Sequence, residues 1–184
     1  MSLAADATSE RLVTQLYEAE RKAEIVDGRI AMMSPTGDLP SSAGLAIVVR
    51  LREYAKREGG RAYTDNVAYL VDLPNRKSFS PDASYFTGPR SGMKFLVGPP
   101  VFAVEIRSES DYGPAAERRM AEKRADYFAA GTKVVWDIDL LNDNVVRVFR
   151  TGSPEQPVIY RKGETAEAEP AVPGWTFSLT ELFD

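Results

Sequence analysis

The chain has 184 residues, of which 43% are hydrophobic and 27% charged, and its formal net charge of −4 at pH 7 argues against a surface built throughout to coat nucleic acid. This length and balance predict a single domain over residues 1–184 with an ordinary hydrophobic core. The chain contains neither cysteine nor histidine, which excludes disulfides, thiolate-ligated or histidine-ligated metals and every catalytic scheme that uses an imidazole base.

The N-terminal segment 1–9 is polar and acidic, and we expect it to be flexible. No stretch of the sequence approaches the roughly 20 apolar residues of a membrane span, so we expect no association with a membrane. The absence of cysteine fits a reducing compartment. The sequence therefore predicts a cytoplasmic protein.

Helical and strand-like patterns alternate along the chain. In order, the predicted elements are a helix from Thr8, a hairpin with arms 23–26 and 29–33, a helix Ser41–Arg57, a strand-like stretch 61–73, a strand after Pro81, a connection 88–100, a strand Val101–Ile106, a helix Pro114–Ala130, a strand Lys133–Ile138, a hairpin turning at Asn142–Asn144, and short β segments within 151–184. We therefore expect an α/β (mixed α+β) fold, with a central mixed sheet flanked by helices and with an additional N-terminal hairpin and C-terminal β segments.

Glu105 interrupts the most apolar strand of the chain, Val101–Ile106, which we expect to be central in the sheet. A buried carboxylate is costly unless it is paired, protonated or bound to a cation. The two-residue period of a strand places Glu105 and Arg107 on one face. Two interpretations stay open at this point, a functional site or a structural Glu105–Arg107 ion pair.

Three further residues are candidates for the same site, each with a plainer alternative. Asp82 follows Pro81 at the entry to a predicted strand, although Pro-Asp pairs often form turns. Glu24 precedes the hairpin turn, where it could be an exposed strand residue. Lys123 lies on the apolar side of its helix, from which it either reaches the surface or points into a pocket.

Basic residues cluster on the helix that carries Lys123. Arg118, Arg119 and Arg124 are candidates for contacts to nucleic acid, and the alternative is a solvated helix face. Any affinity for a duplex has to come from such local groups, because the chain as a whole is acidic.

The order and spacing of these residues, rather than any one motif, carry a family resemblance. The segments that carry it are Glu24–Gly28, Ser80–Ala83, Val104–Asp111, Lys123–Tyr127, Val135–Asp139 and Pro173–Trp175. Together they resemble the Uma-type family of restriction endonucleases within the PD-(D/E)XK nuclease superfamily. The resemblance covers nearly the whole chain.

This resemblance implies a restriction-endonuclease-like core with a magnesium ion, or alternatively manganese, bound by Asp82 and Glu105. It implies Glu24 as an additional acidic ligand and Lys123 as the catalytic lysine. The superfamily lysine normally stands two residues after the second acid, where this chain has Arg107, a residue that can stabilise phosphate charge but is a poor general base.

Two functions from different classes follow. The first is a metal-dependent DNA endonuclease acting as a homodimer, because two related sites cut two strands most simply. The second is a catalytically impaired nuclease fold that serves as a nucleic-acid-binding or accessory module, which Arg107 and the absence of histidine favour. A structural acidic cluster without any role in nucleic-acid chemistry is a third interpretation.

Overall fold

The computed structural model describes the backbone of residues 3–183 and the side chains of residues 9–183. The first helix, α1, spans Leu3–Tyr17, so it starts before Thr8 and within the segment 1–9 that was expected to be flexible. Residues 1, 2 and 184 lie outside the described part of the chain. Within residues 3–183, every helix is too short or too polar to cross a bilayer.

The remaining elements follow the predicted order. They are β1 (Ala23–Val26), β2 (Arg29–Met32), α2 (Asp38–Glu58), β3 (Arg61–Thr64), β4 (Tyr69–Leu70), β5 (Ser78–Phe79), β6 (Ala83–Phe86), β7 (Leu96–Val97), β8 (Phe102–Ile106), α3 (Pro114–Ala130), β9 (Val134–Asp139), β10 (Val145–Arg150), β11 (Ser153–Arg161), β12 (Thr165–Glu167), β13 (Thr176–Ser178) and α4 (Thr180–Phe183).

The central sheet has six strands in the order β11-β10-β9-β8-β6-β3. Strands β8 and β9 are parallel and are connected by α3, whereas the other neighbours are antiparallel. A helix is the usual connection between parallel neighbours, because the chain must return to the same end of the sheet. The expected α+β fold with a central mixed sheet flanked by helices is confirmed, and β8 lies in its interior as predicted.

The two faces of β8 contribute to two hydrophobic clusters. Phe102, Val104 and Ile106 pack with α2 and the C-terminal segments, whereas Ala103 packs with Tyr127 of α3 on the other face. The alternation predicted from strand geometry is therefore confirmed. It also determines that Glu105, which shares its face with Ala103, points toward α3.

Local turn chemistry accounts for the hairpin and for the ends of the two long helices. Asp27 and Gly28 both have positive φ, at 50° and 69°, as the tight turn between β1 and β2 requires. Gly131 has a left-handed φ of 113°, and its N–H donates to the carbonyls of Tyr127 and Phe128, which ends α3 where predicted. Gly59 ends α2 with a φ of 86°.

Two regions differ from the sequence-based expectation. The strand-like stretch 61–73 is divided into β3 and β4 by a turn at Asn66, whose φ is 66°. Strand β4 joins β5 and β7 in a small separate sheet, and β7 lies within the segment 88–100 that was expected to be a connection only. The C-terminal third contains one long strand, β11, at an edge of the central sheet, where its prolines can be accommodated.

Candidate active site

A cavity of about 860 Å³ lies between the β1–β2 hairpin, the end of β8 and one side of α3. The four residues Glu24, Asp82, Glu105 and Lys123, which the sequence analysis selected, all line it. The hairpin is fixed in this place by backbone contacts to the segment before β5, where the N–H of Asp27 donates to Asn75 and the N–H of Lys77 donates to Ile25. Residues from distant parts of the sequence thus share one cavity.

Glu105 is held by two donors from consecutive turns of α3. Lys123 Nζ lies 2.8 Å from Oε2, and the hydroxyl of Tyr127 donates to Oε1 at 2.7 Å. Burial raises the pKa of Glu105, and the nearby carboxylates of Asp82 and Glu24 raise it further. The charge of Lys123 lowers this pKa but does not cancel the increase. Glu105 therefore lies close to two other acids, whose effect on its pKa Lys123 and Lys22 partly offset.

Glu24 is buried, with a side chain only 3% exposed, so its interpretation as an exposed strand residue is wrong. Its Oε1 accepts the Ser80 N–H at 2.8 Å and lies 2.9 Å from Lys123 Nζ, and its Oε2 contacts Arg76 at 2.5 Å. Burial alone would raise the pKa of Glu24, but the charges of Lys123 and Arg76 outweigh it and lower the pKa. Glu24 is thus a charged, fully partnered carboxylate.

Asp82 stands at the entry to β6 and is fixed against β8. Its N–H donates to the carbonyl of Val104 at 3.0 Å, and its Oδ2 accepts the N–H of Ile106 at 2.7 Å. Its other oxygen, Oδ1, lies 2.7 Å from Lys22 Nζ. The Pro-Asp pair therefore leads into the sheet, and it places a carboxylate in the same cavity as Glu105.

Lys22 is a site residue that the sequence analysis missed. Its ammonium bridges Asp82 and Asp65, at 2.7 and 2.6 Å, and its side chain is only 12% exposed. Burial would lower the pKa of Lys22, but attraction to Asp82 and Glu105 raises it above the ordinary value of 10.5. In the sequence Lys22 ends a charged run beside the first helix, and a solvated residue is the ordinary interpretation of such a run.

Arg76 and Tyr127 were also missed as site residues. Arg76 joins Glu24 to Asp126 of α3, with Nε 2.8 Å from the Asp126 carboxylate. Tyr127 stacks on Phe79 with ring centroids 4.0 Å apart, which aims its hydroxyl at Glu105. A hydroxyl on an apolar helix face was the available sign for Tyr127, whereas the contacts of Arg76 depend on the packing of distant segments.

Arg107 shares the face of Glu105 but turns to other acids. Its guanidinium donates twice to Asp137 on β9, at 2.7 and 2.9 Å, and also contacts Glu117 on α3. Within the described residues, the ion pair that forms is therefore with Asp137 and Glu117, and the alternative of a Glu105–Arg107 pair is wrong. The hydrogen bonds that Arg107 donates to Asp137 and Glu117 raise its pKa, and it remains charged.

The three arginines proposed for nucleic-acid contact occupy different environments. Arg118 and Arg119 are exposed on α3, and Arg119 lines the cavity. Arg124 instead lies over the ring of Phe149 at 3.8 Å, with its Nη1 3.8 Å from Asp137. Burial lowers the pKa of Arg124, and its side chain contributes to the packing of α3 on the sheet. Arg118 and Arg119 are thus the two exposed arginines, whereas Arg124 lines the cavity with a side chain only 16% exposed.

The donor set can be compared with the needs of a hard divalent cation. Among residues 9–183, no three acidic side chains converge into a preformed metal cage. Asp82 and Glu105 nevertheless present carboxylate oxygens to one cavity, and oxygen donors are what magnesium and manganese prefer. The side chains of Asp82 and Glu105 are 16% and 20% exposed, whereas that of Glu24 is 3% exposed and holds both Arg76 and Lys123. The donor chemistry therefore fits a cation at Asp82 and Glu105, where it has to compete with their present partners.

The comparisons with known proteins place this α+β fold among putative nucleases. A solved structure of a putative nuclease belonging to DUF820 from Anabaena variabilis is similar to this chain, with a TM-score of 0.71, 17% sequence identity and coverage of 94% of this chain and 97% of that one. The sequence matches the Uma2 family, described as putative restriction endonuclease, over residues 10–180, and the chain belongs to this family. Comparison with curated proteins finds none that matches.

Proposed function

We propose that this protein is a divalent-metal-dependent endonuclease that hydrolyses phosphodiester bonds in DNA. The observation that carries the proposal is the meeting of Asp82, Glu105 and Lys123 in one cavity, in a chain of a restriction endonuclease family. Two acids from neighbouring strands and one lysine are the groups that this chemistry needs when no histidine is available.

Asp82 and Glu105 would hold a magnesium or manganese ion, which when bound supplies positive charge at the phosphate and activates a water molecule. Tyr127 fixes one oxygen of Glu105 and the Ile106 N–H fixes one oxygen of Asp82, so neither carboxylate has to reorganise fully on binding. Both acids thus act as oriented ligands.

Lys123 acts as a fixed cation in this mechanism. Burial alone would lower its pKa, but Glu105 and Glu24 outweigh burial and raise it above the ordinary value of 10.5. A lysine that keeps its proton is a poor general base, yet its charge stabilises the negative charge that develops on the phosphate. Glu24 is then the residue that positions Lys123, and Arg107 stabilises the fold around the site through Asp137 and Glu117.

The test is cleavage of supercoiled plasmid and of single-stranded DNA with added magnesium or manganese. We expect Glu105→Gln and Asp82→Ala to lose metal-dependent cleavage by at least about a hundredfold, with unchanged circular dichroism. Glu109→Gln is the matched control, because Glu109 is an exposed carboxylate four residues after Glu105. Cleavage by Glu105→Gln at the wild-type rate would contradict the assignment.

The second candidate is a nuclease-fold module that binds nucleic acid without cutting it. Two observations favour it: the carboxylates of the cavity are already paired with lysines, and Arg107 is committed to Asp137. DNA binding without nicking under either metal would support this alternative. A melting temperature that neither metal nor DNA changes would instead favour a purely structural acidic cluster.

We also propose a homodimeric assembly and a cytoplasmic location. A homodimer fits cleavage of two strands by two equivalent sites. A cytoplasmic location fits a chain without cysteine.

A further inference from the structure

The ammonium group of Lys22 lies between two carboxylates at the wall of the cavity. It is 2.7 Å from Asp82 Oδ1 and 2.6 Å from Asp65 Oδ1. With only 12% of its side chain exposed, this charge depends on the two acids rather than on water. One of these acids is a proposed metal ligand, whereas the other does not line the cavity.

The Asp82 oxygen that contacts Lys22 is also the one more available to a metal ion. Oδ2 of Asp82 is already bonded to the backbone N–H of Ile106 at 2.7 Å, so Oδ1 is the oxygen that is paired only with a side chain. A carboxylate oxygen has lone pairs for more than one contact, but a divalent ion and an ammonium group at the same oxygen repel each other strongly in a recessed site. A metal at Oδ1 therefore weakens the Lys22 contact and competes with it for Asp82.

We propose that Lys22 is an internal competitor for the metal position. In the metal-free protein it pairs with Asp82, and on metal binding it withdraws onto Asp65. This inference rests on the proposed function, since it takes Asp82 as a metal ligand. Lys22 is then a residue that sets the affinity for the metal, and Asp65 is the residue that makes its withdrawal possible.

Asp65 is positioned to keep its contact with Lys22 when the contact between Lys22 and Asp82 is broken. Its carboxylate accepts the hydroxyl of Thr36 at 3.0 Å and the N–H of Asn66 at 2.8 Å, so it is held in place independently of Lys22. At 34% exposure it also remains partly hydrated. Lys22 can therefore give up one partner without leaving its charge unpaired in the cavity wall, which keeps the cost of the exchange small.

The movement needs only the side chain. The backbone of Lys22 is fixed beside the hairpin, because its carbonyl accepts the N–H of Met33 at 2.9 Å. The four-carbon stem of a lysine can change rotamer while the backbone stays in place. A short shift of the ammonium away from Asp82, with the Asp65 contact kept, is sufficient.

The test is the affinity of the full chain for Mn²⁺, measured by isothermal titration calorimetry without DNA. Lys22→Met removes the competitor and should tighten binding about tenfold, the size expected from one partly buried ion pair. Asp65→Asn removes the alternative partner, ties Lys22 to Asp82 and should weaken binding by a similar factor. The two variants thus shift the affinity in opposite directions.

Lys77→Met is the matched control, because Lys77 forms an ion pair with the exposed Asp72. We expect this variant to bind Mn²⁺ with the affinity of the wild type. Melting temperatures check folding, and Lys22→Met should show a larger metal-induced increase than the wild type. Lys22→Gln, which keeps a polar side chain, should behave like Lys22→Met and covers the case in which the methionine variant does not fold.

The outcomes separate this inference from the proposed function. If the wild type binds Mn²⁺ and both Lys22 variants bind it with equal or lower affinity, the competitor role is overturned, but the proposed metal site is not. Absence of Mn²⁺ binding in the wild type and in all variants overturns both. Binding that appears only when Lys22 is replaced supports the competitor role directly.

Discussion

Lys123 connects three elements through one ammonium group, since from α3 it contacts Glu24 on β1 and Glu105 on β8. The two acids it joins are both largely buried, and each carries a charge that water cannot fully solvate. The lysine therefore contributes to the fold as well as to the proposed chemistry. A loss of activity on its replacement has to be separated from a loss of stability.

We expect Lys123→Met to lower the free energy of unfolding by about 3 kcal/mol, because it leaves two buried carboxylates without their shared partner. Adding Glu105→Gln to this variant should recover part of the loss, since one of the unpaired charges is removed. Urea unfolding of the single and double variants measures both effects. Full wild-type stability in Lys123→Met would contradict the contacts described for Glu24 and Glu105.

At the scale of elements, the parallel pair of β8 and β9 brings Arg107 to Asp137. The register pairs Glu105 with Asp137 on neighbouring strands, so Arg107, one residue beyond the end of β8, reaches across to that carboxylate. Its contact with Glu117 then ties the start of α3 to both strands. Arg107 thus fixes the orientation of the helix that carries Lys123.

We expect Arg107→Lys to lower the free energy of unfolding by about 2 kcal/mol, because an ammonium cannot replace the paired donors of a guanidinium. Well below the melting temperature, the cleavage rate should stay within a few-fold of wild type. Chemical unfolding and plasmid cleavage are the measurements, with Arg52→Lys on α2 as the exposed control. A variant of normal stability that no longer cuts would show that Arg107 acts on the substrate.

At the scale of the whole molecule, a net charge of −4 leaves little general attraction for DNA. Positive charge that can reach a phosphate has to be local, and the exposed Arg118 and Arg119 present it on α3, where Arg119 lines the cavity. DNA binding through a few such contacts releases counterions from the DNA. Because added salt opposes this release, the affinity falls as the salt concentration rises.

We expect the double variant Arg118→Gln with Arg119→Gln to bind DNA more weakly and to reduce the slope of log affinity against log salt by about two. Fluorescence anisotropy with a labelled oligonucleotide and Ca²⁺, over a range of salt concentrations, measures this slope. Arg52→Gln with Lys56→Gln is the control, since both residues are exposed on α2. An equal change in both double variants would argue against a specific role for α3.

Much of the fold could be predicted because it follows from local rules. The Asp27-Gly28 turn, the end of α3 at Gly131 and the interior position of β8 depend on backbone preferences and on short hydrophobic patterns. The division of 61–73 into two strands escaped prediction, since the turn at Asn66 belongs to the packing of β4 against β5 and β7.

The sequence by itself determined that Glu105 needs a partner, since a carboxylate in an apolar strand cannot remain alone, and the spacing of α3 placed Lys123 among the candidates. Only the tertiary structure decided which charges meet. Lys22 and Asp82 are 60 residues apart in sequence. Arg107 pairs with Asp137 rather than with Glu105 because of the register between β8 and β9. Such pairings depend on distances of a few ångströms, which the packing of distant segments sets and no local pattern contains.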